Sequence, residues 1–153
     1  GKSELALELI TRGHRLIADD VPEFTRIAPD IISGGCPPLL RGFLEVRGLG
    51  ILDIRSMFGD SAITNKKYLH LIVNLRRMRA REMAEMDRLS GTDKTRNILS
   101  MDITEVTVPV APGRNLAILV ETAVRDHMLK LKGYDATEEF IKRQQEAIKN
   151  QSK

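Results

Sequence analysis

The segment GKSELALELITRGHRLIADD, residues 1–20, decides the fold. It begins with Gly-Lys-Ser, which is the end of the phosphate-binding motif G-x-x-x-x-G-K-[ST]. Apolar residues then recur at helical spacing and Gly13 stands where a helix would end, so the pattern predicts a helix over residues 2–12. Residues 14–18 are typical of a short buried strand, which stops at an Asp-Asp pair. A phosphate-binding helix followed by a strand indicates the α/β class.

Four polar side chains of this segment fit phosphate chemistry. Lys2 would reach the outer phosphates of a ligand held at the helix N-terminus, and the hydroxyl of Ser3 would bind Mg²⁺. Asp19 and Asp20 follow a predicted strand, and ligands of α/β sheets gather at the carboxyl ends of strands. Adjacent carboxylates suit a proton acceptor or a magnesium ligand. A chance tripeptide and a solvated Asp-Asp turn are the alternatives.

The segment LEVRGLGILD, residues 44–53, places charges inside an apolar, glycine-rich stretch. On a strand, Glu45 and Arg47 would share one face, while Gly48 and Gly50 permit a tight turn or the close approach of a ligand. A buried pair of charges needs a partner such as a metal or a phosphate. The alternative is a surface ion pair beside a bulge.

Residues 109–115, PVAPGRN, join a predicted strand to a predicted helix. Arg114 and Asn115 would then lie at a helix N-terminus, where an anion is favoured. An ordinary turn in which Asn115 caps the helix is the alternative.

Composition limits the class of protein. The chain has 153 residues, of which 42% are hydrophobic and 29% charged, and this predicts a globular domain without a membrane span. The net charge of +3 is mild and only 4% of residues are aromatic, so we expect neither a nucleic-acid nor a membrane partner. The one cysteine, Cys36, cannot form an internal disulfide, which fits a cytoplasmic location. Positive charge is densest at Arg76, Arg77, Arg79 and Arg81. Either a solvated loop or helix start, or an anion-binding site, would account for these arginines.

The rest of the chain predicts further strands and helices. Strands are expected over residues 68–75 and 103–110, and helices over residues 115–131 and 137–150. We expect the last helix to be capped near Thr137. These elements predict an α/β fold with one sheet and helices packed on it.

Together and in this order, these segments resemble the HPr kinase/phosphorylase family. The match also includes DRLSG at residues 87–91 and VPVAPGRNLAILVE at residues 108–121, and it extends to about residue 137. Members of this bacterial family phosphorylate and dephosphorylate a serine of the phosphocarrier protein HPr, in the regulation of carbon metabolism or phosphotransferase transport. The resemblance implies a phosphate-loop kinase-like sheet with flanking helices, similar to phosphoenolpyruvate carboxykinase, and a hexameric assembly.

The resemblance also implies roles for individual residues. Nucleotide and magnesium binding would involve Gly1, Lys2, Ser3 and Glu45. Asp20 would accept the serine proton in the kinase direction and return it in the reverse direction, with Asp19 in support. Arg88 would take part in catalysis together with Lys2. ATP and Mg²⁺ would serve the kinase, and inorganic phosphate and pyrophosphate the reverse reaction.

Two longer segments carry the rest of the resemblance. The signature segment consists of Leu44, Glu45, Val46, Arg47, Gly48, Leu49, Gly50, Ile51, Leu52 and Asp53. The segment implied in dephosphorylation consists of Pro109, Val110, Ala111, Pro112, Gly113 and Arg114.

The family pattern also implies how the chain is organised. Residues 1–136 would be an N-terminally truncated phosphate-loop catalytic domain, and residues 137–153 a C-terminal helical segment suited either to HPr contact or to solvent. An upstream domain, a catalytic histidine and the first part of the phosphate loop belong to the family pattern, so we expect the fragment alone to bind ATP poorly or to be inactive.

Two other functions stay open from the sequence. One is a phosphate-loop kinase of a small molecule, similar to a carboxykinase; the signature segment favours the HPr kinase family over it. The other is a non-catalytic regulatory module, against which the retained Lys2, Ser3, Asp20 and Glu45 argue.

Overall fold

The chain forms a mixed α/β structure, as its sequence predicts. A computed structural model describes residues 2–88 and 94–151, with residues 86–88 described by their backbone only. The helices are α1 (Lys2–Thr11), α2 (Ile54–Phe58), α3 (Ala80–Arg88), α4 (Leu116–Leu131) and α5 (Ala136–Gln151). The strands are β1 (Glu23–Ala28), β2 (Ile31–Gly35), β3 (Phe43–Val46), β4 (Gly50–Asp53), β5 (Lys66–Tyr68), β6 (Ile72–Arg77), β7 (Lys94–Ile98) and β8 (Met101–Val110).

The strands lie in separate sheets. β1, β2 and β5 form one sheet in that order, β3 and β4 form an antiparallel hairpin, and β6, β8 and β7 form another sheet. The prediction of one sheet is therefore wrong for the described residues. Neighbours in sequence pair in each sheet, namely β1 with β2, β3 with β4, and β7 with β8. The short turns between these strands favour such local pairing.

Two predicted strands are shorter than expected. The strand predicted over residues 14–18 is reduced to one parallel bridge between Leu16 and Ile63. The strand predicted over residues 68–75 is interrupted, because its first part belongs to β5 and its last part to β6, which lie in different sheets. His70 lies in this interruption and is exposed. An apolar run predicts a strand but does not reveal where the chain leaves one sheet for another.

The first compact unit comprises residues 1–72 and 95–104. Its main core consists of Ile10, Leu16, Leu44, Val46, Ile54, Ala62 and Ile63. Helix α1 packs against β3, whose buried Leu44 and Val46 alternate with exposed residues. This alternation follows from the period of two in a strand, so that Glu45 lies on the face opposite to the core.

The second compact unit comprises residues 73–94 and 105–153. Helix α4 begins where its sequence predicts, and Ile118 N–H donates to the Asn115 side chain at 3.2 Å. The cap of α5 differs from the prediction near Thr137, because the carboxylate of Asp135 accepts from Thr137 N–H at 2.9 Å. Aspartate at this position satisfies N–H groups that the first helical turn leaves free. Among the described residues, no helix is long and apolar enough to cross a membrane.

Candidate functional site

A contact between two distant segments organises the candidate site. The backbone N–H of Glu45 donates to Asp19 Oδ2 at 3.0 Å, and 26 residues separate the two. This bond ties the segment after α1 to the first strand of the signature hairpin. Asp19 is partly buried, and its carboxylate is held by the strand that carries Glu45.

Asp20 is placed differently from its neighbour. It is exposed, and in the described part of the chain its carboxylate has no hydrogen-bond or ion-pair partner. An accessible carboxylate without a structural partner can accept a proton from a bound hydroxyl. The structure therefore gives Asp19 a positioning contact and leaves Asp20 available.

A cavity of about 520 Å³, within the size range that small ligands occupy, opens beside these carboxylates. Its polar lining residues are Asp19, Asp20, Cys36 and Glu45. Its apolar lining residues are Val21, Leu39, Leu40, Phe43 and Ile51. The cavity thus brings together three of the acidic residues that the sequence singles out.

The signature segment forms a hairpin with a tight turn. Leu49 N–H donates to the carbonyl oxygen of Val46 at 3.0 Å, and Gly48 and Gly50 have φ values of 91° and 90°. Such angles favour glycine, so both glycines are explained by the turn. Arg47 lies in this turn, beyond the end of β3, and the expectation that it shares a strand face with Glu45 is wrong.

Asp53 ends the signature segment as a helix cap. Its side chain accepts from Ser56 N–H at 3.1 Å and from the Ser56 hydroxyl at 2.9 Å. These hydrogen bonds, chiefly the one from the backbone, hold the pKa of Asp53 below its ordinary value of 3.8. The residue fixes the start of α2, which buries Ile54 in the core.

Lys2 and Ser3 lie at the start of α1, with Lys2 exposed and Ser3 partly buried. Neither lines the cavity, but α1 packs against β3, the strand that carries Glu45. Gly1 lies outside the described residues. The helix N-terminus and the carboxylates are therefore parts of the same compact unit.

The oxygen donors predicted from the sequence, at Ser3 and Glu45, are of the type that Mg²⁺ prefers. They are too few to enclose a metal with protein ligands alone. A hydroxyl at Ser3 and a carboxylate at Glu45 are hard oxygen ligands, and Mg²⁺ commonly binds one or two such groups together with water and substrate phosphates. Across residues 2–88 and 94–151, no group of three or more His, Cys, Asp or Glu side chains is arranged to hold a metal.

The segment expected to act in dephosphorylation lies in the second unit. Arg114 N–H donates to the Ala111 carbonyl at 3.3 Å, and Gly113 has φ of 81°, as in a turn with glycine at its third position. Arg114 is partly buried, and its side chain has no hydrogen-bond or ion-pair partner among the described residues. Asn115 caps α4, so the turn and the cap predicted as the alternative are both present.

Two arginines of the cluster line a second cavity, of about 540 Å³, in the second unit. Arg77 and Arg79 line it together with Ala111 and Pro112 of the neighbouring turn. All four arginines of the cluster are exposed. Arg88 ends α3, but its side chain lies outside the described part of the chain, as does most of DRLSG.

The sequence analysis missed five lining residues of the cavity: Val21, Cys36, Leu39, Leu40 and Phe43. It did name Ile51, as part of the signature segment. Cys36 is a free, buried thiol whose pKa is raised, chiefly by burial. Its neighbours Pro37 and Pro38 indicated a loop, but nothing in the local pattern related that loop to Asp20.

Comparison with known proteins shows the family of this chain. The family model for the HPr Serine kinase C-terminal domain matches residues 1–144. This chain belongs to the HPr serine kinase C-terminal domain family. HPr kinase/phosphorylase proteins of Xanthomonas campestris pv. campestris (strain B100) and Xanthomonas oryzae pv. oryzae (strain PXO99A) are each 56% identical over 144 residues. That alignment covers 94% of this chain and 46% of either relative, so the chain spans about half the length of these relatives.

A solved family structure has the same fold. The Hpr(Ser) kinase/phosphatase from Coxiella burnetii superposes with a TM-score of 0.77 at 38% sequence identity. The match covers 92% of this chain and 84% of that chain. The prediction of an α/β kinase-like fold is confirmed.

Proposed function

We propose that this chain is the catalytic domain of an HPr serine kinase/phosphorylase. The observation that carries the proposal is the cavity in which the accessible carboxylate of Asp20 lies with Asp19 and Glu45. Membership of the HPr serine kinase C-terminal domain family supports it, as does the name of the relatives, HPr kinase/phosphorylase. The same family membership disfavours a small-molecule kinase.

In the kinase direction, Asp20 accepts the proton of the HPr serine hydroxyl. The serine oxygen attacks the γ-phosphorus of ATP, and the bond to the β-phosphate oxygen breaks to release ADP. Lys2, at the positive end of α1, holds the outer phosphates of ATP. Phosphoryl transfer depends mainly on positioning and on neutralising charge, and this set of residues can supply both.

In the reverse direction, Asp20 returns its proton to the serine oxygen. An oxygen of inorganic phosphate attacks the phosphorus of phosphoserine, the bond from phosphorus to the serine oxygen breaks, and pyrophosphate forms. The same carboxylate serves both directions by microscopic reversibility.

Ser3 and Glu45 would hold Mg²⁺, with Gly1 completing the nucleotide-binding end of α1. When bound, this ion neutralises charge on the phosphates. Glu45 suits the role because its backbone is fixed by Asp19 while its side chain points away from the core.

The family resemblance implies roles for two further arginines, both in the second unit. Arg114 would hold the attacking phosphate, and Arg88 would neutralise the transferring group. Replacing Arg114 with Gln is then expected to reduce dephosphorylation more than kinase activity. Equal loss of both activities would contradict this role for Arg114.

The remaining parts of the chain would serve assembly and substrate contact. Residues 1–136 would form the catalytic domain and residues 137–153 a helical segment that contacts HPr, in a cytoplasmic hexamer. The support for a contact role is that α5 is exposed along its length within the described residues, with Phe140, Ile141 and Ile148 open to solvent.

Mass spectrometry tests the proposal directly. The intact protein is incubated with Mg-ATP and HPr, and phosphate on an HPr serine is measured; inorganic phosphate is then added and pyrophosphate is followed. Both reactions are expected, and Asp20→Asn should lower the rate of transfer about 10²–10⁴-fold while ATP still binds. Asp30→Asn is the matched control, because Asp30 is an exposed carboxylate in the turn between β1 and β2.

Other outcomes would identify other functions. ATP binding without transfer to HPr would indicate another kinase substrate or a non-catalytic regulatory module. Transfer at the wild-type rate in Asp20→Asn would remove the proton acceptor from the mechanism.

A further inference from the structure

An exposed apolar surface borders the proposed catalytic carboxylate. We call it the apolar rim, and it consists of Val21, Leu39, Leu40, Phe43 and Ile51. Leu39 is 90% exposed and Ile51 is 72% exposed, although both line the cavity that contains Asp20. Exposed apolar side chains that cluster around a cavity commonly mark a binding surface.

The rim is held in place by the backbone. Pro38 begins a 3₁₀ turn that presents Leu39 and Leu40, and Arg41 N–H closes this turn on the Pro38 carbonyl at 3.5 Å. The Arg41 guanidinium also donates to the Cys36 carbonyl at 3.4 Å. Proline fixes its own φ angle, which restricts the backbone where the turn begins. The hydrogen bond from Arg41 closes the other end of the turn, and the two leucines lie between these two points.

The charges of the cavity favour one occupant. Its charged lining residues are Asp19, Asp20 and Glu45, and no lysine or arginine is among its lining residues in the described chain. The apolar rim itself carries no group that binds phosphate, and Lys2 and Ser3 at the start of α1 do not line the cavity. The rim therefore fits an uncharged or basic stretch of polypeptide better than it fits the phosphates of a nucleotide.

We propose that the apolar rim binds an apolar side chain that flanks the acceptor serine of the protein substrate. This inference rests on the proposed function, in which that serine must reach Asp20. The acceptor serine must reach Asp20, and the rim lines the same cavity, so residues next to the serine lie within reach of the rim. The rim is thereby a specificity surface for the protein substrate and has no part in the chemical step.

The test compares two exposed residues of the first unit. Leu39→Ser removes the most exposed rim side chain, and Ile27→Ser is the control, because Ile27 is 53% exposed on β1 and does not line the cavity. Both variants should unfold at the wild-type temperature, since exposed substitutions cost little stability. Steady-state kinetics is measured in the intact protein with HPr and with ATP varied separately.

We expect Leu39→Ser to raise the KM for HPr about tenfold, the size of effect that loss of a packed apolar contact produces at an interface. The KM for ATP and the kcat at saturating HPr should stay within about twofold of wild type. A contact that stabilises bound substrate and transition state equally affects only the KM of that substrate. Ile27→Ser should leave all three constants unchanged.

A panel of HPr variants completes the test. Each apolar residue of HPr within about three positions of the acceptor serine is replaced by Ser. For one of these HPr variants, Leu39→Ser should leave the KM unchanged, because a double-mutant cycle gives this result when the two replaced residues contact each other. An unchanged KM for HPr in Leu39→Ser, or a raised KM for ATP instead, would overturn the inference and leave the proposed function intact. Absence of transfer by the wild type would overturn the proposed function itself and the inference with it.

Discussion

The hydrogen bond from Glu45 N–H to Asp19 predicts that two adjacent aspartates have different functions. Asp19→Ala removes the acceptor of this 3.0 Å bond, whereas Asp19→Asn keeps an oxygen that can accept it. Asp20→Asn removes a carboxylate that has no structural partner among the described residues. The three substitutions therefore separate positioning from proton transfer.

The expected magnitudes follow from these contacts. A hydrogen bond to a charged group contributes about 1.5–3 kcal/mol, and because the bond at Asp19 is open to solvent we expect about 1 kcal/mol. Asp19→Ala should then lower kcat/KM about fivefold, and Asp19→Asn less. Loss of a general base commonly costs about 10²–10⁴-fold, so Asp20→Asn should lower kcat by that factor.

Initial rates of HPr phosphorylation, measured with mass spectrometry over a range of HPr concentrations, test this difference. Circular dichroism and thermal unfolding verify that each variant is folded. The reasoning would be refuted if Asp19→Asn lost as much kcat as Asp20→Asn, since Asn at position 19 retains the bond to Glu45.

Four further predictions concern stability, titration and reactivity. Asn115→Ala should destabilise the chain by about 1 kcal/mol through loss of the α4 cap, measured by urea unfolding; an unchanged midpoint would show that the cap contributes nothing. Ile54→Ala should lower the free energy of unfolding by about 2–5 kcal/mol, because Ile54 is fully buried. A smaller loss would mean that neighbouring core residues fill the space that the deleted side chain leaves. The lowered pKa of Asp53 stabilises the fold above pH 3.8, and this stabilisation is lost as pH falls through the lowered value, so the stability difference between wild type and Asp53→Asn should vanish in acid. Cys36 should react slowly with iodoacetamide at pH 8 in the folded chain, because burial raises its pKa, and quickly in urea; equal rates would contradict its burial.

Local sequence patterns predicted much of the fold. The helix over residues 2–12 ends within a residue of α1, the strand over residues 103–110 lies inside β8, and Asn115 precedes α4. Helical periodicity, strand alternation and capping depend on residues within a few positions of one another, so a sequence reveals them without knowledge of the fold. The same holds for the glycines of the hairpin turn.

Long-range contacts decided the rest. Nothing near residue 70 shows that the chain changes sheets there, because that depends on which partner strands are available. The meeting of Asp19 with Glu45, and of Asp20 with Leu39 and Ile51, depends equally on segments that are distant in sequence. The sequence by itself determined the start of α1, the acidic pair and the glycines of the signature hairpin. Only the tertiary structure decided which aspartate is held and which is free, and that an apolar surface borders the free one, because side-chain surroundings are set by the packing of remote segments.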